Sequence, residues 1–139
     1  MSEDAKANTS GPPPIRVLIV DDEPDVRMLL RVQLEHSGFD IVGEAADGRA
    51  ALDQCREHAP DAIILDLLMP GMSGFEAIAP LREMKRDVAI VAYTAVAGDF
   101  VRKEMARLDV PLLLKSGDST PLVNKIREVV AARAGAATP

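Results

Sequence analysis

Ile63-Ile64-Leu65-Asp66-Leu67-Leu68-Met69-Pro70-Gly71-Met72-Ser73-Gly74 changes character twice within twelve residues. It opens as an apolar, partly β-branched run, the composition of a buried strand. It closes on Met-Pro-Gly and Ser-Gly, the residues of a loop and then of a helix start. One carboxylate, Asp66, stands at the change. In α/β sheets ligands gather outside the carboxyl ends of the strands, so an acid there is a candidate for chemistry. An Asp that merely caps or solvates a strand end would look the same in this stretch alone.

Upstream, residues 15–20 (IRVLIV) are almost continuously apolar, as in a central parallel strand. They run straight into Asp21-Asp22-Glu23, three acids that repel one another unless a positive group faces them. Pro24 suits the first turn of a helix, where its missing N–H costs nothing. Val26, Leu29, Leu30, Gln33 and Leu34 then recur at helical spacing, with Arg27, Arg31 and Glu35 outside, and Gly38 is a stop. Residues 39–45 (FDIVGEA) read as a second strand, less apolar and nearer an edge. Asp47-Gly48 opens a helix whose inner stripe is Ala51, Leu52, Cys55 and Ala59. Cys55 there is a small core residue rather than a reactive thiol. His36 and His58 fall near helix ends, with no metal-ligand spacing, and read as solvated.

Downstream, a third helix starts at Ser73 or Gly74, with Phe75, Ile78, Ala79 and Leu81 inward. Pro80 within it deletes a backbone hydrogen bond and crowds the preceding turn, which predicts a kink or a displaced second half. Residues 88–93 (VAIVAY) form a fourth strand ending at Thr94-Ala95. A short polar helix over 98–108 leaves Phe100, Val101, Met105 and Leu108 for the core. Residues 110–114 form a fifth strand, with Pro111 at its start, where Pro is tolerated, and end in Lys115-Ser116-Gly117. A last helix begins near Ser119 or Thr120, with Leu122, Val123, Ile126, Val129 and Val130 inward. Residues 1–14 read as a disordered leader closed by prolines, 15–133 as one domain, and 134–139 as a flexible tail.

Bulk properties narrow the classes. At 139 residues and 47% apolar content, the chain supports a single domain with a substantial core. Three Phe, one Tyr and no Trp make that core aliphatic. A net charge of −6 argues against a nucleic-acid surface, which needs a basic stripe. One cysteine excludes an intramolecular disulfide. No run approaches the roughly 18 apolar residues of a membrane span, and no signal-peptide pattern opens the chain. The expectation is a cytoplasmic protein without membrane insertion.

Five strands alternating with five helices call for a parallel sheet covered on both faces. Its carboxyl edge then collects Asp21 and Asp22 from the first strand, Asp66 from the third, Thr94 from the fourth and Lys115 from the fifth. Clustered carboxylates need a cation. With oxygen donors and no convergent His or Cys, Mg2+ is the natural one.

On these motifs (Asp21-Asp22, the loop from Asp66 to Gly74, Thr94-Ala95 and Lys115, in this order) the chain resembles the receiver domain of two-component response regulators over about residues 15–133. The resemblance implies a three-layer (βα)5 sandwich of flavodoxin-like type with strand order 2-1-3-4-5. It implies that Asp66 accepts a phosphoryl group from the phosphohistidine of a sensor histidine kinase or phosphotransfer protein. Asp22 and Asp66 would hold Mg2+ directly with the backbone carbonyl of Leu68, and Asp21 partly through water. Lys115 would balance charge, and Thr94 would take a phosphoryl oxygen after transfer, with the small Ala95 beside it admitting the group. The product is a self-reverting acyl phosphate, so the protein is a switch rather than an enzyme. Its output face would be the fourth helix, fifth strand and fifth helix, acting on an unnamed downstream protein.

Two positions depart from the family pattern, and two variable ones bear on the lifetime of the product. Leu112 replaces the usual aromatic three residues before the lysine, which predicts weaker or different coupling. Tyr93 is no substitute, since it precedes Thr94 and faces the other side of the sheet. Ser116 follows the lysine where the family often has a cis proline, so a trans bond is expected. Leu68 and Val96, apolar beside the site, cannot orient water, which predicts slow self-dephosphorylation. A haloacid-dehalogenase-type phosphatase needs a second Asp where Leu68 stands. A flavodoxin-like FMN binder needs a phosphate loop where the acids 21–23 stand. The reading is a stand-alone receiver; the alternatives are the N-terminal receiver of a longer regulator and a non-phosphorylated scaffold.

Overall fold

The computed structural model describes residues 11–95 and 97–137. Most of the expected leader, the last two residues of the tail, and Val96 lie outside the described residues. The elements are β1 (Arg16–Val20), α1 (Pro24–His36), β2 (Asp40–Ala45), α2 (Gly48–His58), β3 (Ala62–Leu65), α3 (Gly74–Met84), β4 (Ala89–Thr94), α4 (Asp99–Arg107), β5 (Leu112–Leu114) and α5 (Thr120–Ala137). All strand pairs are parallel, in the expected order β2-β1-β3-β4-β5. β2, the less apolar strand, lies at one edge.

The central strands are apolar throughout because both faces are buried. Leu18, Val20, Ile63, Leu65, Ile90 and Ala92 pack against α2, α3 and α4. Val17, Ile19, Ala62, Ile64, Ala89, Val91 and Tyr93 pack against α1 and α5. The period of two along each strand thus divides the molecule into two aliphatic cores. Cys55 is buried in the first of them, as a small core residue.

α3 spans Pro80 within one helical element, Gly74–Met84; the expectations that need correction concern which residues the helices bury. The carbonyl that loses its donor is that of Glu76, an exposed residue, where water can serve it. The start of α3 is firmly tied: Ser73 Oγ accepts from Glu76 N at 3.3 Å, and Ser73 N donates to Glu76 Oε1 at 2.9 Å, a reciprocal cap. Ala77, not Ala79, takes the inner position. Ala59 leaves the stripe of α2 as its left-handed C-cap, with φ 44°. Leu29 is 49% and Phe100 73% exposed. On α4 the inward row is Val101, Met105 and Leu108, spaced four and three apart, and Phe100 lies about 100° around the helix from it. α5 continues to Ala137, past the expected end at 134, in keeping with the helix preference of its alanines. No cis peptide bond occurs among the described residues, so Lys115-Ser116 is trans, as expected.

Candidate functional site: an acid cluster at the carboxyl edge

β1 and β3 are hydrogen-bonded neighbours in register, Val20 opposite Leu65. The next residue of each is an aspartate. Asp66 N donates to Val20 O at 2.9 Å and Asp21 N to Ala45 O at 3.0 Å, so the main chain holds both acids to the sheet. On the other flank β4 pairs with β5, and Lys115 N donates to Thr94 O at 2.9 Å. Sheet topology alone therefore brings residues 21, 66, 94 and 115 to one edge.

Among the described residues, three polar or charged residues are buried: Asp21 (2% exposed), Asp66 (4%) and Thr94 (0%). All three are at this edge. Such a concentration in a protein whose remaining interior is apolar marks a site rather than ordinary strand-end solvation. Lys115 Nζ lies 2.6 Å from Asp21 Oδ2, 3.3 Å from Asp66 Oδ2 and 4.0 Å from Glu23 Oε1. The other oxygens are tethered too: Glu23 N donates to Asp21 Oδ1 at 2.9 Å, and Leu68 N to Asp66 Oδ1 at 3.2 Å. Thr94 Oγ1 is buried with no hydrogen-bond partner in the protein. A hydroxyl kept in that state is costly unless something else engages it.

Burial pushes the Asp66 carboxyl above its usual range; the Leu68 N–H and Lys115 pull it back, and Asp21 adds to the rise. Burial also works to lower the Lys115 ammonium, but its contacts with Asp21 and Asp66 outweigh it, and the net shift is upward. The lysine is thus held charged by the acids it compensates.

Asp21, Asp22 and Asp66 each offer a carboxylate oxygen within 4.8 Å of the others. Three hard donors so close, with one lysine between two of them, fit a small divalent cation such as Mg2+. Asp21, Asp22, Asp66, Thr94 and Lys115, expected from the sequence, come to this one edge, and Leu68, two residues after Asp66, is 59% exposed. Val96 lies outside the described residues. Leu112 packs with the α2–α4 core and Tyr93 with the α1–α5 core, on opposite faces as anticipated.

Sequence reasoning did not single out the supports of the loop. Gly48 N donates to Met72 O at 2.9 Å. A Cβ on Gly48 would sit 2.5 Å from Met72 Cγ and 2.7 Å from Met72 O. A Cβ on Gly74 would sit 2.1 Å from Asp66 O. The two glycines let α2 and α3 press the loop of residues 66–74 against the sheet end. Their only sequence signal is glycine at the start of two helices.

A parallel five-stranded sheet with buried acids, a lysine and a threonine at its carboxyl edge defines the class. The family model for the response regulator receiver domain matches residues 17–127. The chain belongs to the response regulator receiver family, whose members are signalling switches of two-component systems. It is 35% identical over 133 residues to the transcriptional regulatory protein PdtaR of Mycobacterium tuberculosis, covering 90% of this chain and 64% of that protein. Among solved structures it is similar to the response regulator TrrA of Thermotoga maritima, determined in complex with Mg2+-BeF (33% identity, TM-score 0.74, 83% of this chain and 98% of that one). It is also similar to a two-component response regulator of the LuxR family from Aurantimonas (32%, 0.79, 86% and 87%). The chain spans only 38–43% of the length of several curated relatives that it matches. No described helix is long and apolar enough to cross a membrane.

Proposed function

We propose that the protein is a phosphorylation-dependent switch in which Asp66 is the phosphoacceptor. The observation that carries this reading is a nearly buried Asp66 flanked by Lys115 and by the Asp21-Asp22 pair. A carboxylate oxygen of Asp66 attacks phosphorus; the O–P bond forms as the N–P bond to the donor imidazole breaks. A dianionic donor meeting three carboxylates is repelled unless that charge is met, and transfer of this kind is mainly positioning and charge stabilisation. When bound by Asp22, Asp66 and the Leu68 carbonyl, with Asp21 partly through water, Mg2+ supplies that neutralisation. Lys115 adds a second positive charge, in contact with both Asp21 and Asp66. The unpartnered Thr94 hydroxyl donates to a phosphoryl oxygen of the product.

The donor is a phosphohistidine on a sensor kinase or phosphotransfer protein in the cytoplasm. On α1, directly after the acid pair, Met28, Leu29 and Val32 are 64, 49 and 59% exposed, an apolar stripe suited to such a partner. The output face is α4–β5–α5, where Phe100 and Leu114 are exposed at 73 and 44%. Leu112, with neither ring nor hydroxyl, couples Thr94 to that face by repacking alone. Residues 15–133 form the switch domain, acting as a stand-alone receiver or as the receiver of a longer regulator.

Phosphotransfer from a phosphohistidine donor, followed by intact-protein mass spectrometry, tests the reading. Wild type is expected to gain one phosphoryl group in the presence of Mg2+ and Asp66→Ala none; equal labelling of the two overturns it. The same samples give the lifetime. The Leu68 side chain is hydrocarbon and cannot orient an attacking water, so the label is expected to persist for minutes or longer, and decay within seconds would refute slow self-dephosphorylation.

A further inference from the structure

One cation near the acid cluster has no part in the phosphoacceptor reading. Arg27 lies on the first turn of α1, its side chain 18% exposed. Its Nη1 donates to the backbone carbonyl of Asp21 at 2.5 Å, and its Nε donates to Glu44 Oε1 at 3.1 Å. Glu44, on edge strand β2, gives its second oxygen to Arg31 Nε at 2.7 Å. Glu44 therefore fixes the plane of the Arg27 guanidinium, and the guanidinium fixes a peptide.

That peptide joins Asp21 to Asp22. Whatever orients its carbonyl also sets the direction in which the Asp22 side chain leaves the main chain. The other handles of Asp21 are already engaged: its N–H by Ala45, Oδ1 by the Glu23 N–H, and Oδ2 by Lys115. Without Arg27 the buried Asp21 carbonyl loses its side-chain donor, and the run Asp21-Asp22-Glu23 loses a compensating charge. Arg31 shares Glu44 but makes no contact with Asp21, so it is an internal control.

We propose that Arg27, aligned by Glu44, is a positioning residue for divalent-cation binding at Asp21, Asp22 and Asp66. The inference rests on the metal-assisted reading of the site. Isothermal calorimetry with MgCl2, in phosphate-free buffer and without any phosphodonor, reads the effect directly. Arg27→Ala is expected to weaken Mg2+ binding about tenfold, at the low end for residues that orient metal ligands. Arg27→Lys is expected to lose affinity as well, because an ammonium cannot serve Glu44 and the Asp21 carbonyl in one plane. Arg31→Ala is expected to stay within about twofold of wild type, since it leaves the Asp21 carbonyl bonded. Wild-type affinity in Arg27→Ala, or equal losses in Arg27→Ala and Arg31→Ala, overturns the proposal. If circular dichroism shows Arg27→Ala unfolded, Arg27→Lys decides by the same criterion. A wild type that binds no Mg2+ at millimolar concentration refutes the metal reading itself, and this inference with it.

Discussion

Gly74→Ala is expected to destabilise the protein by about 3 kcal/mol, lowering the melting temperature by roughly 10 °C. The added Cβ would lie 2.1 Å from Asp66 O, 2.8 Å from Leu67 Cα and 2.9 Å from Asp66 C. All three atoms are main chain, so no side chain can swing aside. Either the Asp66 peptide or the first turn of α3 must move. Asp66 is anchored through its own N–H to Val20 O, and the turn is held by the Ser73–Glu76 cap. A second effect is expected from the same contact: moving the Asp66 peptide moves the carboxylate proposed as acceptor, so phosphotransfer should slow. Gly71 is the comparison: its φ is 72°, but a Cβ there meets nothing within 4 Å. Gly71→Ala then costs only the left-handed conformation, about 1–2 kcal/mol. Urea unfolding of both variants checks the order. A Gly74→Ala protein as stable as Gly71→Ala would show that the loop yields freely.

Lys115→Ala is expected to remove roughly 2–3 kcal/mol at neutral pH without divalent cation. Asp21 and Asp66 are buried, and the lysine contacts both. Removing one partner of a buried ion pair strands the other, and here it strands two. The figure lies below the usual loss for a fully buried pair because Lys115 is itself 17% exposed. The sign with pH follows from Asp66. Burial already holds its carboxyl above the usual range, and Lys115 is among the groups pulling it down. In the variant that carboxyl rises further. A raised folded-state carboxyl binds more protons than the unfolded chain does, so stability falls as pH rises through the folded value and returns on acidification. The deficit of Lys115→Ala is thus expected to shrink at mildly acidic pH. On the proposed metal reading it should also shrink on adding Mg2+, because the cation would meet in the variant the carboxylate charge that Lys115 meets in the wild type. Thermal unfolding at two pH values, with Mg2+ or with EDTA, reads both. A deficit independent of pH and of Mg2+ would mean that Lys115 acts by packing alone.

Much of this architecture was legible in the residues. Continuous apolar runs at residues 15–20 and 88–93 could be satisfied only by strands covered on both faces, and the intervening 3.6-residue periods only by the covering helices. Four of the five strands ran into a polar residue (Asp21, Asp66, Thr94 and Lys115), and those residues carried the family resemblance. Burial around each helix was harder to read. Leu29 and Phe100 are as apolar as their buried neighbours, yet they face outward, because the position of a helix against the sheet, not its composition, decides which residues are covered.

Residue type and order along the chain determined by themselves the alternating fold and the set Asp21, Asp22, Asp66, Thr94 and Lys115, since local pattern and side-chain chemistry are properties of the chain. Only the tertiary structure decided how that set is arranged. Lys115 sits nearer Asp21 than Asp66, at 2.6 against 3.3 Å. Arg27 reaches back to the Asp21 carbonyl, and two glycines admit α2 and α3 against the loop of residues 66–74. Those contacts join residues far apart in sequence or depend on fractions of an ångström. Both are set by strand register and close packing, which no local pattern records.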